Sequence, residues 1–208
     1  MKKLKILNLY AGIGGNRKLW VDEHEITAVE YKQEIADIYH DFFPDDKIVV
    51  GDAHEYLLEH YKEFDFIWSS PPCPSHSRIR KCFVGKDEQG PNKPIYPDMK
   101  LYEEVLLLQG YFKGKYCVEN VISWYKPLIS PQEFESHYFW TNFIIVPYNS
   151  KGIREHFSSM DVLSERKGFN LDKYNINKRL ALRNCVEPEV GKHILDCAMG
   201  NNKQKQLF

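Results

Sequence analysis

The 208-residue chain has few cysteines, almost no net charge and no long apolar run. Its five cysteines, at positions 73, 82, 117, 185 and 197, form an odd set without regular spacing. That argues against a disulfide framework and suits a reducing compartment. A formal net charge of -1 withholds the basic footprint of a general nucleic-acid binder. Any such contact must use a local patch, such as Arg78-Ile79-Arg80-Lys81 or Lys178-Arg179 with Arg183. No stretch approaches the roughly 18 uncharged apolar residues of a membrane span. Met1-Lys2-Lys3 runs into a strand-like segment too short, and too polar downstream, for a secretory signal. The expected location is cytoplasmic. No internal repeat or low-complexity tract occurs.

What is present is ordinary globular material, 43% hydrophobic and 27% charged, long enough for a sizeable core. Short β-prone runs, Leu4 to Tyr10, Glu25 to Glu30, Ile48 to Val50, Phe64 to Ser69 and Tyr116 to Glu119, alternate with helix-like segments. Lys32 to Phe43 carries Ile35, Ile38, Tyr39 and Phe42 at helical spacing, and Met99 to Phe112 repeats the pattern. Pro188 to Met199 reads as a helix with proline in its first turn and Gly200 after its end. Such alternation predicts an α/β fold, a mostly parallel sheet with helices on both faces. Ligands then bind at the carboxyl ends of the strands, where the polar signals of this chain fall. Two stretches break the pattern: a polar loop from Arg78 to Pro97 with Gly85, Gly90 and three prolines, and an irregular stretch from Pro147 to about Asn177.

The first strand leaves through Asn8-Leu9-Tyr10-Ala11-Gly12-Ile13-Gly14-Gly15, a turn through which backbone can approach a ligand closely. Taken alone it is a weak signal, with a plain tight turn as the alternative. Glu30 ends the second strand, where a carboxylate can accept both ribose hydroxyls, and Asp52 follows the third. Asp52 also fits a helix cap, paired with Glu55. The series indicates a nucleoside-containing cofactor rather than a bare phosphate.

Pro71-Pro72-Cys73 follows the run Phe64 to Trp68, and Glu119-Asn120-Val121 ends another run. The prolines fix two φ angles and remove two donors, making a rigid platform for a thiol. A thiolate there could be favoured by Arg78 or Arg80. The bland alternative is a small buried residue in a stiff turn. A zinc site from Cys73, His76 and Cys82 lacks a fourth ligand, so no metal is expected.

With Ser70-Pro71-Pro72-Cys73, Glu119-Asn120-Val121 and Arg183-Asn184-Cys185-Val186-Glu187-Pro188 in this order, the chain resembles the DNA cytosine-5 methyltransferase family, particularly its compact phage and prophage members. The resemblance covers about Leu4 to Ile194. It implies a Rossmann-like methyltransferase fold, S-adenosylmethionine as cofactor, and a bacterial or phage-infected cell as setting. It implies that Cys73 adds to C6 of a flipped cytosine in DNA and that Glu119 holds the ring. Ser75, Ser77, Arg78, Arg80 and Lys81 would contact DNA on a loop closing over the base. Tyr10, Ala11, Gly12, Gly14, Gly15 and Pro71 would line the cofactor site. Glu30 would bind the ribose, Tyr31 would stack on the adenine, Asp52 with Ala53 would face its amine, and Asn184 and Val186 would complete the pocket. Residues 1–146 with 180–200 would form the catalytic domain, 147–179 a very reduced target-recognition insert and 201–208 a tail, in a monomer.

The chain departs from the family where an arginine pair is expected. Glu135 to Trp140 has none, and His137 is the substitute donor to the ring oxygen, or else a structural histidine. The short insert keeps open a weakly active or inactive DNA-binding protein; RNA is a further alternative substrate. A nicotinamide dehydrogenase is disfavoured because nothing resembles a hydride-transfer site. Gln204-Lys205-Gln206-Leu207-Phe208 is similar to peptides that dock on bacterial sliding clamps, with a frayed hydrophilic tail as the alternative.

Overall fold

The computed structural model describes residues 3–21, 23–78, 96–147 and 159–201. Its strands are β1 (Lys5–Leu9), β2 (Glu25–Glu30), β3 (Lys47–Val50), β4 (Phe66–Ser69), β5 (Lys115–Val121), β6 (Gln132–Phe134) and β7 (His137–Thr141). They form one sheet in the order β3-β2-β1-β4-β5-β7-β6. The first five run parallel, while β7 is antiparallel to both β5 and β6. Within β1 and β4, Ile6, Leu7, Leu9, Phe66, Ile67 and Trp68 are all buried. That is why these runs read as continuously apolar: a strand covered on both faces cannot alternate.

The helices are α1 (Gln33–Phe42), α2 (Ala53–His60), α3 (Lys100–Tyr111), α4 (Met160–Lys167), α5 (Lys178–Asn184) and α6 (Pro188–Ala198). One face of the sheet packs Leu7, Leu9, Ile67 and Val118 against Leu57 of α2 and Leu101, Val105 and Leu108 of α3. The other packs Ile6, Phe66 and Trp68 against Trp20 and against Val190, Ile194 and Leu195 of α6. Beyond it, Ala11, Ile13 and Ala28 meet Ile38 and Tyr39 of α1, Leu163 of α4, Phe169, Leu171 and Leu182 of α5. The residues from 159 to 171, expected within an irregular insert, thus contribute to the core of the main sheet. Capping fixes α4 where periodicity is faint: the Ser159 side chain accepts from Val162 N, and Gly168 closes the helix at φ 69°. The expected end of α6 is present, with Pro188 in the first turn and Gly200 at φ 71°.

Beneath the first βα turn lies a buried ion pair. Arg17 Nε donates to Asp46 Oδ2 at 2.9 Å, and Tyr39 Oη donates to the same oxygen at 2.8 Å. Arg17 Nη1 also donates to the Trp20 carbonyl at 3.0 Å. Removing one partner would strand the other charge in a low dielectric. Arg17→Ala is therefore expected to cost about 3–5 kcal/mol, measurable as a lowered urea midpoint.

Candidate active site

The parallel strands end together, so Tyr10, Glu30, Asp52, Cys73 and Glu119 come to one edge of the sheet although they span more than half the chain. At the exit of β1 the backbone turns through the left-handed region at Tyr10 (φ 55°) and again at Gly12 (φ 54°). A tyrosine there is strained by about 1–2 kcal/mol. Glu30 pins the turn: its carboxylate accepts from Gly12 N and, across the strand end, from Lys32 N, each at 3.0 Å. A methyl group added at Gly12 would meet nothing within 4 Å, so this stretch of backbone faces open space. Gly15 differs. A Cβ there would lie 2.3 Å from Cys185 Sγ and from the Val186 carbonyl. The absence of a side chain is what allows the C-terminal segment against the turn. Gly14 likewise abuts Phe43 and Tyr39.

Two basic residues of α4 hold that C-terminal segment in place. Buried Lys167 donates to the Cys185 carbonyl and pairs with Glu187 at 2.7 Å, and Arg166 also pairs with Glu187. Val186 is half-buried beside the turn, whereas Asn184, the last residue of α5, is exposed. Around the opening, Tyr31 is 75% exposed, leaving a ring face available, and Ala53 is buried. Asp52 caps α2, accepting from His54 N at 2.8 Å and Glu55 N at 3.2 Å, with Lys100 Nζ at 3.6 Å. Its expected capping role is thus realised.

On the neighbouring strand ends, Asn120 Nδ2 donates to the Pro71 carbonyl at 2.9 Å, tying the proline corner to β5. The Cys73 carbonyl accepts from His76 N at 2.9 Å and Ser77 N at 3.1 Å, folding the next residues into a turn. That turn docks on residues 123–125: Trp124 N donates to the His76 carbonyl at 3.0 Å, Trp124 Nε1 to the Ser75 carbonyl at 3.1 Å, and Ser77 bridges Ser123. Ser75 Oγ accepts from Asp98 N at 3.0 Å. His76 is buried with its Nδ1 2.6 Å from Tyr125 Oη, and burial lowers its pKa. Arg78 is exposed. Arg80, Lys81, Cys82, the loop expected to close over the base, and Gln204 to Phe208 lie outside the described residues.

Burial raises the Cys73 thiol pKa, and the Glu119 carboxylate raises it further. Among the described residues the charge acting on the thiol is negative; Arg80, one of the two arginines expected to favour the thiolate, lies outside them. His137 sits beside Glu119 across the β5–β7 ladder, with Nε2 3.7 Å from Glu119 Oε1. Its Nδ1 faces the Glu135 carbonyl at 3.0 Å. A carbonyl can only accept, so Nδ1 carries hydrogen, and Nε2 is the ring nitrogen turned towards Glu119. The turn presenting His137 holds Glu135 at φ 48° and Ser136 at φ 62°.

Sequence reasoning missed one residue at this edge. Glu104 of α3 is fully buried and collects Tyr10 Oη at 2.6 Å, Ser69 Oγ at 2.5 Å and His54 Nδ1 at 3.1 Å. A signal existed: Glu104 stands on the helical stripe of Leu101, Val105 and Leu108, where a charge is costly unless paired.

The strand order 3-2-1-4-5-7-6, with only β7 reversed, defines a Rossmann-like, mostly parallel α/β fold. Residues 4–99 match the model of the C-5 cytosine-specific DNA methylase family. The resemblance to cytosine-5 methyltransferases therefore holds over that region, and the cofactor it implies is S-adenosylmethionine. A tRNA (cytosine(38)-C(5))-methyltransferase of Rattus norvegicus is 31% identical over 85 residues, 38% of this chain and 22% of that protein. The chain thus matches about a fifth of that relative's length. Solved structures with similarity include a Spodoptera frugiperda DNMT2 variant (25% identity, TM-score 0.36, 56% of this chain and 35% of that one). Another is a SAM-dependent methyltransferase of Agrobacterium tumefaciens (13% identity, TM-score 0.43, 60% and 40%). Among the described residues no helix is long and apolar enough to cross a membrane.

Two outcomes follow from the charges at this edge. Removing the Glu119 charge should lower the Cys73 pKa, so Glu119→Gln should speed iodoacetamide alkylation of Cys73 at pH 7.5, read by peptide mass mapping. The second concerns His54, whose pKa is raised first by its hydrogen bond to Glu104 and further by the charges of Glu104 and Glu103, against burial and Lys100. A folded-state pKa above the unfolded value of about 6.5 contributes stability that is complete below that pH and fades as pH rises through the folded pKa. The melting-temperature gap between the parent and His54→Gln should therefore be widest near pH 6 and narrow towards pH 9.

Proposed function

We propose that the protein methylates C5 of a cytosine in DNA, the base being turned out of the helix to reach Cys73. The observation that carries this reading is the electrostatic proximity of the Cys73 thiol and the Glu119 carboxylate beside an open glycine turn. The open face at Gly12 gives a ligand room beside Glu30, which binds the Gly12 amide, and Tyr31, Asp52 and Ala53 at the next strand ends would surround a nucleoside. Tyr10, Ala11, Gly12, Gly14, Gly15 and Pro71 would cradle the methionine end, with Glu30 on the ribose. Tyr31 would stack on the adenine, Asp52 and Ala53 would meet its amine, and Asn184 and Val186 would close the pocket. When bound, S-adenosylmethionine supplies an electrophilic methyl group.

The residues of the chain must make C5 a nucleophile. The Cys73 thiolate adds to C6, forming an S–C6 bond while the C5–C6 π pair moves towards C5. Glu119, in its protonated form, donates to N3 and holds the exocyclic amine, so that charge entering the ring is neutralised. His137 would supply that proton through Nε2 or donate to the ring oxygen. After methylation, a water molecule takes the C5 proton, the C5–H pair re-forms the C5–C6 double bond, and the S–C6 bond breaks to release the Cys73 thiolate and restore the aromatic ring. Since burial and Glu119 both disfavour the free thiolate, the nucleophile would form only once the base occupies Glu119. Ser75, Ser77, Arg78, Arg80 and Lys81 would meet the DNA.

A second reading, methylation of RNA at the same atom, draws on the tRNA-methylating relative. Incubation with labelled S-adenosylmethionine and either varied duplex DNA or tRNA separates the two. Label is expected in DNA cytosines, and Cys73→Ser should reduce transfer by about a thousandfold or more. Label in tRNA alone would transfer the assignment to RNA. No label in either would leave a binding protein, and undiminished transfer by Cys73→Ser would end the thiol mechanism.

A further inference from the structure

Three elements that meet at the cofactor edge are tied to one carboxylate. Tyr10 reaches Glu104 from the exit of β1, Ser69 from the last residue of β4, and His54 from the first turn of α2. Each donor sits one to four residues from a group proposed to act: Tyr10 precedes Gly12, Ser69 precedes Pro71 and Cys73, and His54 follows Asp52 and Ala53. Glu104 itself comes from a fourth element, α3, and is 0% exposed. A carboxylate offers about four acceptor sites, so it can take three donors at once, whereas an amide of the same shape has one acceptor oxygen.

The strain at Tyr10 makes this contact more than filling. A tyrosine at φ 55° stays in the left-handed region only if its surroundings hold it there. Glu30 holds the turn from the Gly12 side, and Glu104 holds the Tyr10 side chain from below. On the other arm, Ser69 is followed by Ser70, which accepts from Trp68 Nε1 at 2.8 Å, and then by Pro71, anchored by Asn120. With two consecutive prolines, the segment has little freedom to absorb a shift at Ser69 before it reaches Cys73.

We propose that Glu104 is a positioning residue that fixes the cofactor turn and the strand exit carrying Cys73 relative to each other, so that one buried group sets the distance between methyl donor and nucleophile. This deepens the methyltransferase reading and rests on it for the identity of the cofactor. In Glu104→Gln the oxygen that binds Tyr10 and His54 and the one that binds Ser69 cannot both remain charged acceptors, so the charge-assisted hold on the turn, the strand exit or both is weakened.

The test compares Glu104→Gln with Val105→Ala, a neighbouring buried change on the same helix that destabilises without touching the network. S-adenosylmethionine affinity is measured by calorimetry on folded protein well below each melting temperature, and Cys73 alkylation is measured without cofactor. Glu104→Gln should weaken binding about tenfold or more and change the alkylation rate at least about threefold, on the scale of a lost charge-assisted hydrogen bond. Val105→Ala should lower the melting temperature and leave both values within about twofold of the parent. Equal behaviour of the two variants at matched stability would overturn the proposal. Should Glu104→Gln not fold, Tyr10→Phe and Ser69→Ala each remove one arm, and unchanged alkylation in both would also overturn it. If the parent failed to bind S-adenosylmethionine, the proposed function would fall, while the alkylation arm would still decide the role of Glu104.

Discussion

The parallel pairing of β3, β2, β1, β4 and β5 is the constraint on which everything else rests. Because the five strands run in one direction, their carboxyl ends share one edge, and each chain reversal must cross a face as a helix or long connection. The groups ending those strands are polar, and the strands themselves are not. The sheet therefore delivers Tyr10, Glu30, Asp52, Cys73 and Glu119 to one edge, with Tyr10 packed against the core and Glu119 buried near the end of β5. The reversed β7 adds His137 beside Glu119 from the far side, which a further parallel strand could not have done from a short connection.

Electrostatics at this edge is dominated by carboxylates. Glu30 is spent on backbone N–H groups, Asp52 on a helix cap, Glu104 on three side-chain donors, and Glu119 alone faces the thiol and an imidazole. A half-buried thiol whose pKa is raised by burial and by a neighbouring carboxylate is held in its protonated form at rest. His137, with Nε2 3.7 Å from Glu119, occupies the region where an arginine was expected.

Much of this was legible in the amino-acid order. The boundaries of β2 and α6 and the cores of α1 and α3 follow from apolar periodicity and from Pro188 and Gly200, because buried stripes and end caps are local properties. Less was legible between 159 and 171. The eight residues of α4 bury only Leu163 and the stem of Lys167, too few to mark a stripe, so their place in the core is set by partners distant in sequence. Glu104 was equally hidden: its position on an apolar stripe is visible, but the three donors that make it tolerable come from residues 10, 54 and 69.

The sequence by itself determined the α/β alternation, the stiff thiol corner, the glycine turn and the order of the motifs, since each depends on neighbours within a few positions. Only the tertiary structure decided that the Glu119 carboxylate bears on Cys73, that Lys167 holds residues 185–187 against Gly15, and that Glu104 joins three strand and helix ends. These are contacts between segments tens of residues apart. They exist only once the sheet has fixed its strand order, and no local pattern encodes the distance between two groups that meet across a fold.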